Sequence, residues 1–198
     1  MIASRSCVSE WMQMRLEAAD TIIDRLAARP FDCDSLFPAV DAIPAPIYVT
    51  GPDGALRHFN QECIGFAGRT PEIAKDRWCV TWKLYTEDGD FLPHDECPMA
   101  LAIRQKQSIR GISAVAERPD GTRVMFVPFP TPLFDETGDF AGAINLLVDI
   151  TDRRQVADLQ SQAARCRRLA AGTTDGVLAS TLRILASEYD AKAAALQA

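Results

Sequence analysis

Paired metal ligands are scarce in this 198-residue chain. No two of its six cysteines lie closer than sixteen residues, so no Cys-x-x-Cys pair for zinc or dithiol chemistry occurs. Scattered cysteines of a cytosolic protein are mostly buried, reduced thiols, and we expect the same of these. They are Cys7, Cys33, Cys63, Cys79, Cys97 and Cys166.

Strong positive charge and long apolar runs are also missing. The formal net charge is −6 at pH 7, whereas phosphate binding needs a concentrated basic surface, so we expect no nucleic-acid partner. Arg5, Glu10 and Arg15 interrupt the apolar residues of the N-terminus, which therefore lacks the core of a signal peptide. No segment approaches the ~20 apolar residues of a membrane span. These absences favour a cytoplasmic protein without a membrane span.

The composition is that of a folded protein, with 47% hydrophobic and 24% charged residues. The length suits one well-cored domain with an accessory segment. Residues 9–29 have the apolar spacing of a helix that ends before Pro30, and we assign residues 1–34 to an N-terminal amphipathic helix that caps a sheet or forms a dimer. Its stripe consists of Met12, Leu16, Ala19, Ile23 and Leu26, preceded by Trp11.

The middle of the chain has the turn signals of β-hairpins. They are "GPDG" at 51–54, "EDGD" at 87–90, "PDG" at 119–121 and "DETG" at 135–138. The predicted strands are 46–50, 56–59, a small pair around 82–92, and then 108–118, 123–133 and 140–150. A short helical turn over 34–40 precedes them, and short helices fill residues 60–107, with Asn60, Thr70 and Asp95 as helix caps and Pro98 in a first turn. The last three strands predict an antiparallel meander.

Residues 151–198 predict a helical hairpin. The first helix ends at Gly172, and the sequence "TTD" caps the second. The first helix is also locally basic, through Arg153, Arg154, Arg165, Arg167 and Arg168, which suits either a solvated face or an anionic partner. The two apolar stripes are Val156, Leu159, Ala163, Cys166 and Ala170, and then Leu178, Leu182, Leu185, Tyr189, Ala193 and Leu196.

Three segments in this order resemble the PAS domain family of bacterial signal transduction. They are "IPAPIYVTGPDGALRHFNQECIGFAGRTPEIA", "LPHDECPMALAIRQ" and "RGISAVAERPDGTRVMFVPFPTPLFDETGDFAGAINLLVDITDRR". The resemblance covers about residues 35–154. It implies an α+β fold, a five-stranded antiparallel sheet with short helices on one face. A PAS domain would occupy residues 35–150, between the N-terminal helix and the C-terminal helical hairpin.

The stretch "DIT" at 149–151 is typical of the end of the last PAS strand. The resemblance implies that Asp149 and Thr151 couple this strand to the helix that follows, so that a change in the sheet re-aims the helix. The alternative is that Thr151 only caps the helix.

PAS domains bind haem, flavin, a small metabolite or nothing, between the sheet and the helix before the meander. The residues that the resemblance places there are Trp78, Trp82, Met99, Ala102, Ile103, Phe126 and Leu146, which could equally be core. Flavin photochemistry of the LOV type matches poorly, because "KDRWCVTWK" around Cys79 lacks the N-C-R-F-L-Q-like motif. For haem, His94 is the candidate axial ligand, and His58 alternates on a strand toward solvent.

Catalytic motifs are not evident. His94 is the last histidine, so the C-terminal helices lack the phospho-acceptor of a sensor kinase, and no P-loop occurs. We therefore expect a non-enzymatic sensory or adaptor module, which signals through its flanking helices to a separate kinase or regulator and forms a homodimer. A cofactor is not expected. The alternatives are a gas or redox sensor with haem or another cofactor, and a piece of a longer signalling protein, although "YDAKAAALQA" looks like a natural terminus.

Overall fold

The computed structural model describes residues 4–195, with side chains for 13–152 and 155–195. Trp11, Met12, Arg153, Arg154 and Leu196 of the predicted stripes and basic face therefore have side chains outside the described residues. The chain forms two compact units: one spans Ser9–Asp149, and the other contains the helices from Ile150 onward.

The elements follow the predicted order. The helices are α1 Ser4–Ala27, α2 Cys33–Asp41, α3 Glu62–Ala67, α4 Pro98–Gln105, α5 Thr151–Gly172 and α6 Gly176–Ala195, with a 3₁₀ turn at His94–Glu96. The strands are β1 Ile47–Thr50, β2 Leu56–Phe59, β3 Lys83–Tyr85, β4 Phe91–Leu92, β5 Ala114–Glu117, β6 Arg123–Pro128, β7 Thr131–Phe134 and β8 Phe140–Asp149. All strand pairs are antiparallel, in the order β2-β1-β8-β6-β5-β3-β4, and β7 also pairs with β8.

The sheet has eight strand segments where the resemblance implied five. The hairpin β3–β4 extends it beyond β5. The predicted strand 123–133 is split into β6 and β7, because Pro128 and Pro130 have no N–H with which to continue a ladder. Between them, the Phe129 N–H donates to Leu146 O and to the side chain of Asn145, both at 2.9 Å. The predicted strand 108–118 begins only at Ala114, since Gly111 has φ +73°.

Two of the predicted helix caps act differently. Asn60 is buried, and its side chain holds the turn before β1: Oδ1 accepts from the Ile47 N–H at 3.1 Å, and Nδ2 donates to Ala45 O at 2.7 Å. No helix begins at Thr70. The Asp76 carboxylate binds the Glu72 N–H at 2.8 Å instead and holds residues 72–76 in a turn.

The third cap, Asp95, was also predicted wrongly. It lies within the 3₁₀ turn, and Cys97 occupies the N-cap position of α4. Pro98 is in the first turn of α4, as predicted, where its missing N–H costs little.

The two faces of β8 serve different layers. Ala143 and Leu147 belong to the main core cluster, together with residues of α3 and α4. Ile144 and Leu146, which alternate with them, point to the opposite face and are also buried. Both faces of this strand are therefore covered, which explains its continuous apolar sequence.

The N-terminal helix is bound to the rest of its unit by Arg110. The Arg110 guanidinium pairs with Asp20 at 2.5 Å and Asp24 at 3.1 Å, and it also donates to Pro130 O at 3.1 Å. Ala19 and Ile23 of the predicted stripe are buried.

The C-terminal hairpin packs along alanines. Val156, Ala163 and Ala170 of α5 are buried at seven-residue intervals, and α6 buries Ala179, Ala186 and Ala193 at the same interval. Small side chains let two helices approach closely, so Ala179 rather than the predicted Leu178 faces the seam. The predicted cap is confirmed, because the Asp175 carboxylate accepts from the Val177 N–H at 2.9 Å and the Leu178 N–H at 3.1 Å.

No helix within residues 4–195 is long and apolar enough to cross a membrane. Of the cysteines, Cys63, Cys79 and Cys97 are buried as expected, whereas Cys33, the first residue of α2, is exposed. Cys166 is half-buried, and the side chain of Cys7 lies outside the described residues.

Candidate functional site

The predicted pocket residues divide into two groups. Met99, Ile103 and Phe126 share the core cluster between α4 and the sheet, and Trp78 packs against it. Ala102 is buried outside this cluster, and Leu146 faces the other side of the sheet because Leu147 has the inward position. Trp82 is 52% exposed. Four of the seven residues therefore lie together.

Trp78 has an unusual backbone. Its φ of +67° is costly for a bulky side chain and persists only where surrounding contacts impose it. The Trp78 N–H donates to Gly54 O at 2.8 Å. Its indole covers Gly54 so closely that a Cβ there would lie 2.3 Å from ring carbons. Gly54 therefore leaves the space that the ring needs.

A buried chain of hydrogen bonds links Trp78 to the last strand. The Tyr48 hydroxyl donates to Trp78 O at 3.0 Å and accepts from Asn145 Nδ2 at 2.9 Å. Asn145 Oδ1 in turn accepts from the Phe129 N–H at 2.9 Å. Burial, followed by the nearby Cys79, raises the pKa of Tyr48 well above its usual value, so the hydroxyl stays protonated. We refer to these bonds as the Tyr48–Asn145 chain.

The Tyr48–Asn145 chain was missed in the sequence. The available signal was a Tyr in "IYVT" and an Asn in "AINLLVD", two polar groups within otherwise apolar strands. Buried polar groups almost always have hydrogen-bond partners, so both residues required one.

His94 lies in a cleft of about 430 Å³ next to Trp78. Its Nε2 is 3.4 Å from Thr81 Oγ1, which donates to Cys79 Sγ at 3.1 Å. Burial, and then the positive charge of Arg69, lower the pKa of His94 from 6.5. The imidazole is therefore neutral at pH 7.

Haem does not fit this cleft. The walls beside His94 include Lys75, Asp76 and Arg77, whereas a porphyrin requires a wide apolar slot. His58 is engaged elsewhere, since its Nε2 is 2.8 Å from Asp41 and its ring stacks on Phe37. Among residues 13–152 and 155–195, whose side chains the structure describes, no group of three or more His, Cys, Asp or Glu residues could hold a metal ion.

Two of the core thiols, those of Cys63 and Cys97, are not activated. Burial raises the pKa of Cys63 and of Cys97 to about 12, so both are protonated at neutral pH. Cys79 lies in a non-helical segment beside them.

The junction between β8 and α5 is short. β8 ends at Asp149, Ile150 occupies the capping position, and the helix begins with Thr151. Thr151 is therefore the first helical residue and not the N-cap.

A family model described as "PAS fold" matches residues 40–155. Among solved structures, the PAS domain of the fruit-fly ELK potassium channel has 12% identity and a TM-score of 0.51, over 61% of this chain and 98% of that one. The LOV protein of Rhodobacter sphaeroides has 12% identity and a TM-score of 0.44, over 89% and 98%. A LOV domain from a blue-light activated histidine kinase of Erythrobacter litoralis has 20% identity and a TM-score of 0.41, over 55% and 98%. No curated protein matches.

Proposed function

The chain belongs to the PAS family, a family of sensory modules that are generally not catalytic, and we propose that it senses a small ligand or partner without being an enzyme. It would transmit the response through its flanking helices to a separate signalling protein. The Tyr48–Asn145 chain is the observation that carries this proposal, because it links the Trp78 loop, beside the core under α4, to β8.

The proposed response begins in that core. A ligand that moves α4 or the Trp78 loop lengthens the bond between Trp78 O and the Tyr48 hydroxyl. A bond of this kind is worth about 1 kcal/mol, which is enough to change the ratio of two conformations about fivefold. The shift would reach β8 through Asn145 and then Asp149 and Thr151, where the chain passes into α5.

The proposed output surface is the α5–α6 hairpin. Large apolar side chains are exposed on it, which suits the apolar centre of a protein interface. They are Leu169, Val177, Leu178 and Ile184. Arg165 and Arg168 add positive charge on α5. We propose that a kinase or regulator binds here and that the chain is a homodimer, which light scattering would test.

Hydrogen exchange tests the proposed transmission. Tyr48→Phe removes the hydroxyl and should change the exchange rates of amides in the first turns of α5. Ile23→Val, a buried change in α1, is the control, because it loses comparable stability without touching the Tyr48–Asn145 chain. Equal α5 exchange in Tyr48→Phe, Ile23→Val and the wild type would contradict the proposal.

A visible spectrum of freshly purified protein tests the cofactor alternative. Cells are grown with a haem precursor and riboflavin. A colourless protein is expected, whereas a haem or flavin band near one equivalent would replace the proposal with a cofactor-bound sensor.

A further inference from the structure

A groove lies on the sheet face opposite the main core cluster. It encloses about 330 Å³ between α1, α2 and β7. The side chains that line it are mainly apolar, and they include Ile22, Leu26, Phe31, Leu36, Ile43 and Leu133. Leu133 is paired with Gly142, the neighbour of the core residue Ala143, which places the groove on the outer face. It is therefore separate from the core under α4.

Two arginines stand at the groove. Arg25, in the last turn of α1, and Arg29, two residues after the helix ends, line the groove, and both are exposed. In the described part of the chain, neither forms a salt bridge. The two acids of α1 nearest to these arginines in sequence, Asp20 and Asp24, are paired with Arg110 instead. The groove thus has local positive charge in a chain of net charge −6.

The first acid after Arg29 in the sequence is also engaged. Asp32 caps α2, and its carboxylate accepts from the Asp34 N–H at 3.2 Å and the Ser35 N–H at 3.1 Å. Its charge is therefore held at the positive end of α2 and does not occupy Arg25 or Arg29.

We propose that this groove binds an amphipathic carboxylate, a saturated acid of about ten carbons, with its tail on Leu36 and Leu133 and its head at Arg25 and Arg29. A groove of about 330 Å³ has room for a short alkyl chain, and we take a ten-carbon acid as the ligand to test. The mainly apolar lining favours an alkyl chain, because its burial there removes apolar surface from water. A positive rim selects an anionic head over a cationic one.

Calorimetry with the full chain tests the proposal. Sodium decanoate should bind with a stoichiometry of one, and decyltrimethylammonium, with the same tail and the opposite charge, should not. The double variant Arg25→Gln/Arg29→Gln should weaken decanoate binding about fivefold, a modest value because both guanidinium groups are exposed. The matched control Arg165→Gln/Arg168→Gln removes two charges from α5 and should leave binding unchanged.

A second variant fills the groove. Ala39 lines it from α2, and Ala39→Phe should abolish decanoate binding while the circular dichroism spectrum stays native. No heat with decanoate, equal binding of decyltrimethylammonium, or binding that survives both groove variants would each overturn the proposal. A groove that a second copy of the chain already fills would give no heat and would also overturn it. The groove lies on the opposite sheet face from the Tyr48–Asn145 chain. Tyr48→Phe should therefore leave decanoate binding intact, which separates this proposal from the proposed sensory function.

Discussion

The Tyr48 hydroxyl in β1 accepts a hydrogen bond from the side-chain amide of Asn145 in β8, with 2.9 Å between the oxygen and the nitrogen. The two residues face each other in the strand register, and both are buried. Their backbones therefore hold the polar groups in place, and the hydroxyl is left to donate to Trp78 O.

Replacement of this hydroxyl should be costly. Tyr48→Phe leaves Trp78 O and one N–H of Asn145 without partners in an apolar interior, which predicts a loss of about 1–3 kcal/mol in the free energy of unfolding. Urea denaturation measures it. Tyr189→Phe, on a half-buried site of α6, is the control and should change stability by less than about 0.5 kcal/mol. Equal stability of the two variants would contradict the assigned bonds.

Arg110 should hold α1 in place. Arg110→Ala removes the ion pairs with Asp20 and Asp24 and the bond to Pro130 O. We expect a loss of about 1–2 kcal/mol, limited by partial exposure, and faster hydrogen exchange in α1. A double-mutant cycle with Asp20→Asn isolates the pair and should give a positive coupling energy. Purely additive losses would show that the pair contributes nothing to docking of the helix.

His94 should make stability depend on pH. Burial, and then Arg69, lower its pKa below 6.5, so the unfolded chain takes up the proton more readily than the folded one. Protonation of His94 therefore destabilises the fold only at acidic pH. The free energy of unfolding falls as pH drops below about 6.5 and levels off below the pKa that His94 has in the folded chain. His94→Gln should lose that part of the pH dependence. An NMR titration that placed the His94 pKa above 6.5 would contradict it.

Two glycines should respond differently to the same substitution. Gly121, in the turn of the β5–β6 hairpin, has φ +84° with open space where a Cβ would stand, so Gly121→Ala should cost only the backbone strain, about 1–2 kcal/mol. At Gly142, φ is +145° and a Cβ would lie 2.1 Å from Thr50 O. Gly142→Ala must displace β1 as well. The melting temperature of Gly142→Ala should be well below that of Gly121→Ala. Gly121→Val should also have a lower melting temperature than the wild type.

Local sequence patterns predicted most turns and helix ends, but not the helix expected at Thr70. The hairpin turns, the Asp175 cap and the position of Pro98 follow from residues adjacent in sequence, and all agree with the structure. Thr70 was predicted to start a helix for the same local reason. There the Asp76 carboxylate, with Arg69 bound to it, competes for the backbone and favours a turn.

The pocket was predicted less well, because a strand residue's side depends on register. A shift by one residue exchanges the two faces, and the bends at Phe129 and Gly111 set the register of the meander. The prediction thus placed Leu146 on the core side of the sheet, a position that Leu147 occupies instead.

The sequence by itself determined the order of strands and helices and the C-terminal hairpin, because turn residues and apolar periodicity act over a few residues. The PAS architecture followed from the resemblance of three of its segments to that family. The tertiary structure alone decided the strained Trp78, the role of Asn60, the Tyr48–Asn145 chain and the Arg110 ion pairs. Tyr48 and Asn145 are 97 positions apart, and Arg110 and Asp20 are 90. No local pattern specifies such partners, because only the closed sheet brings them within hydrogen-bonding distance.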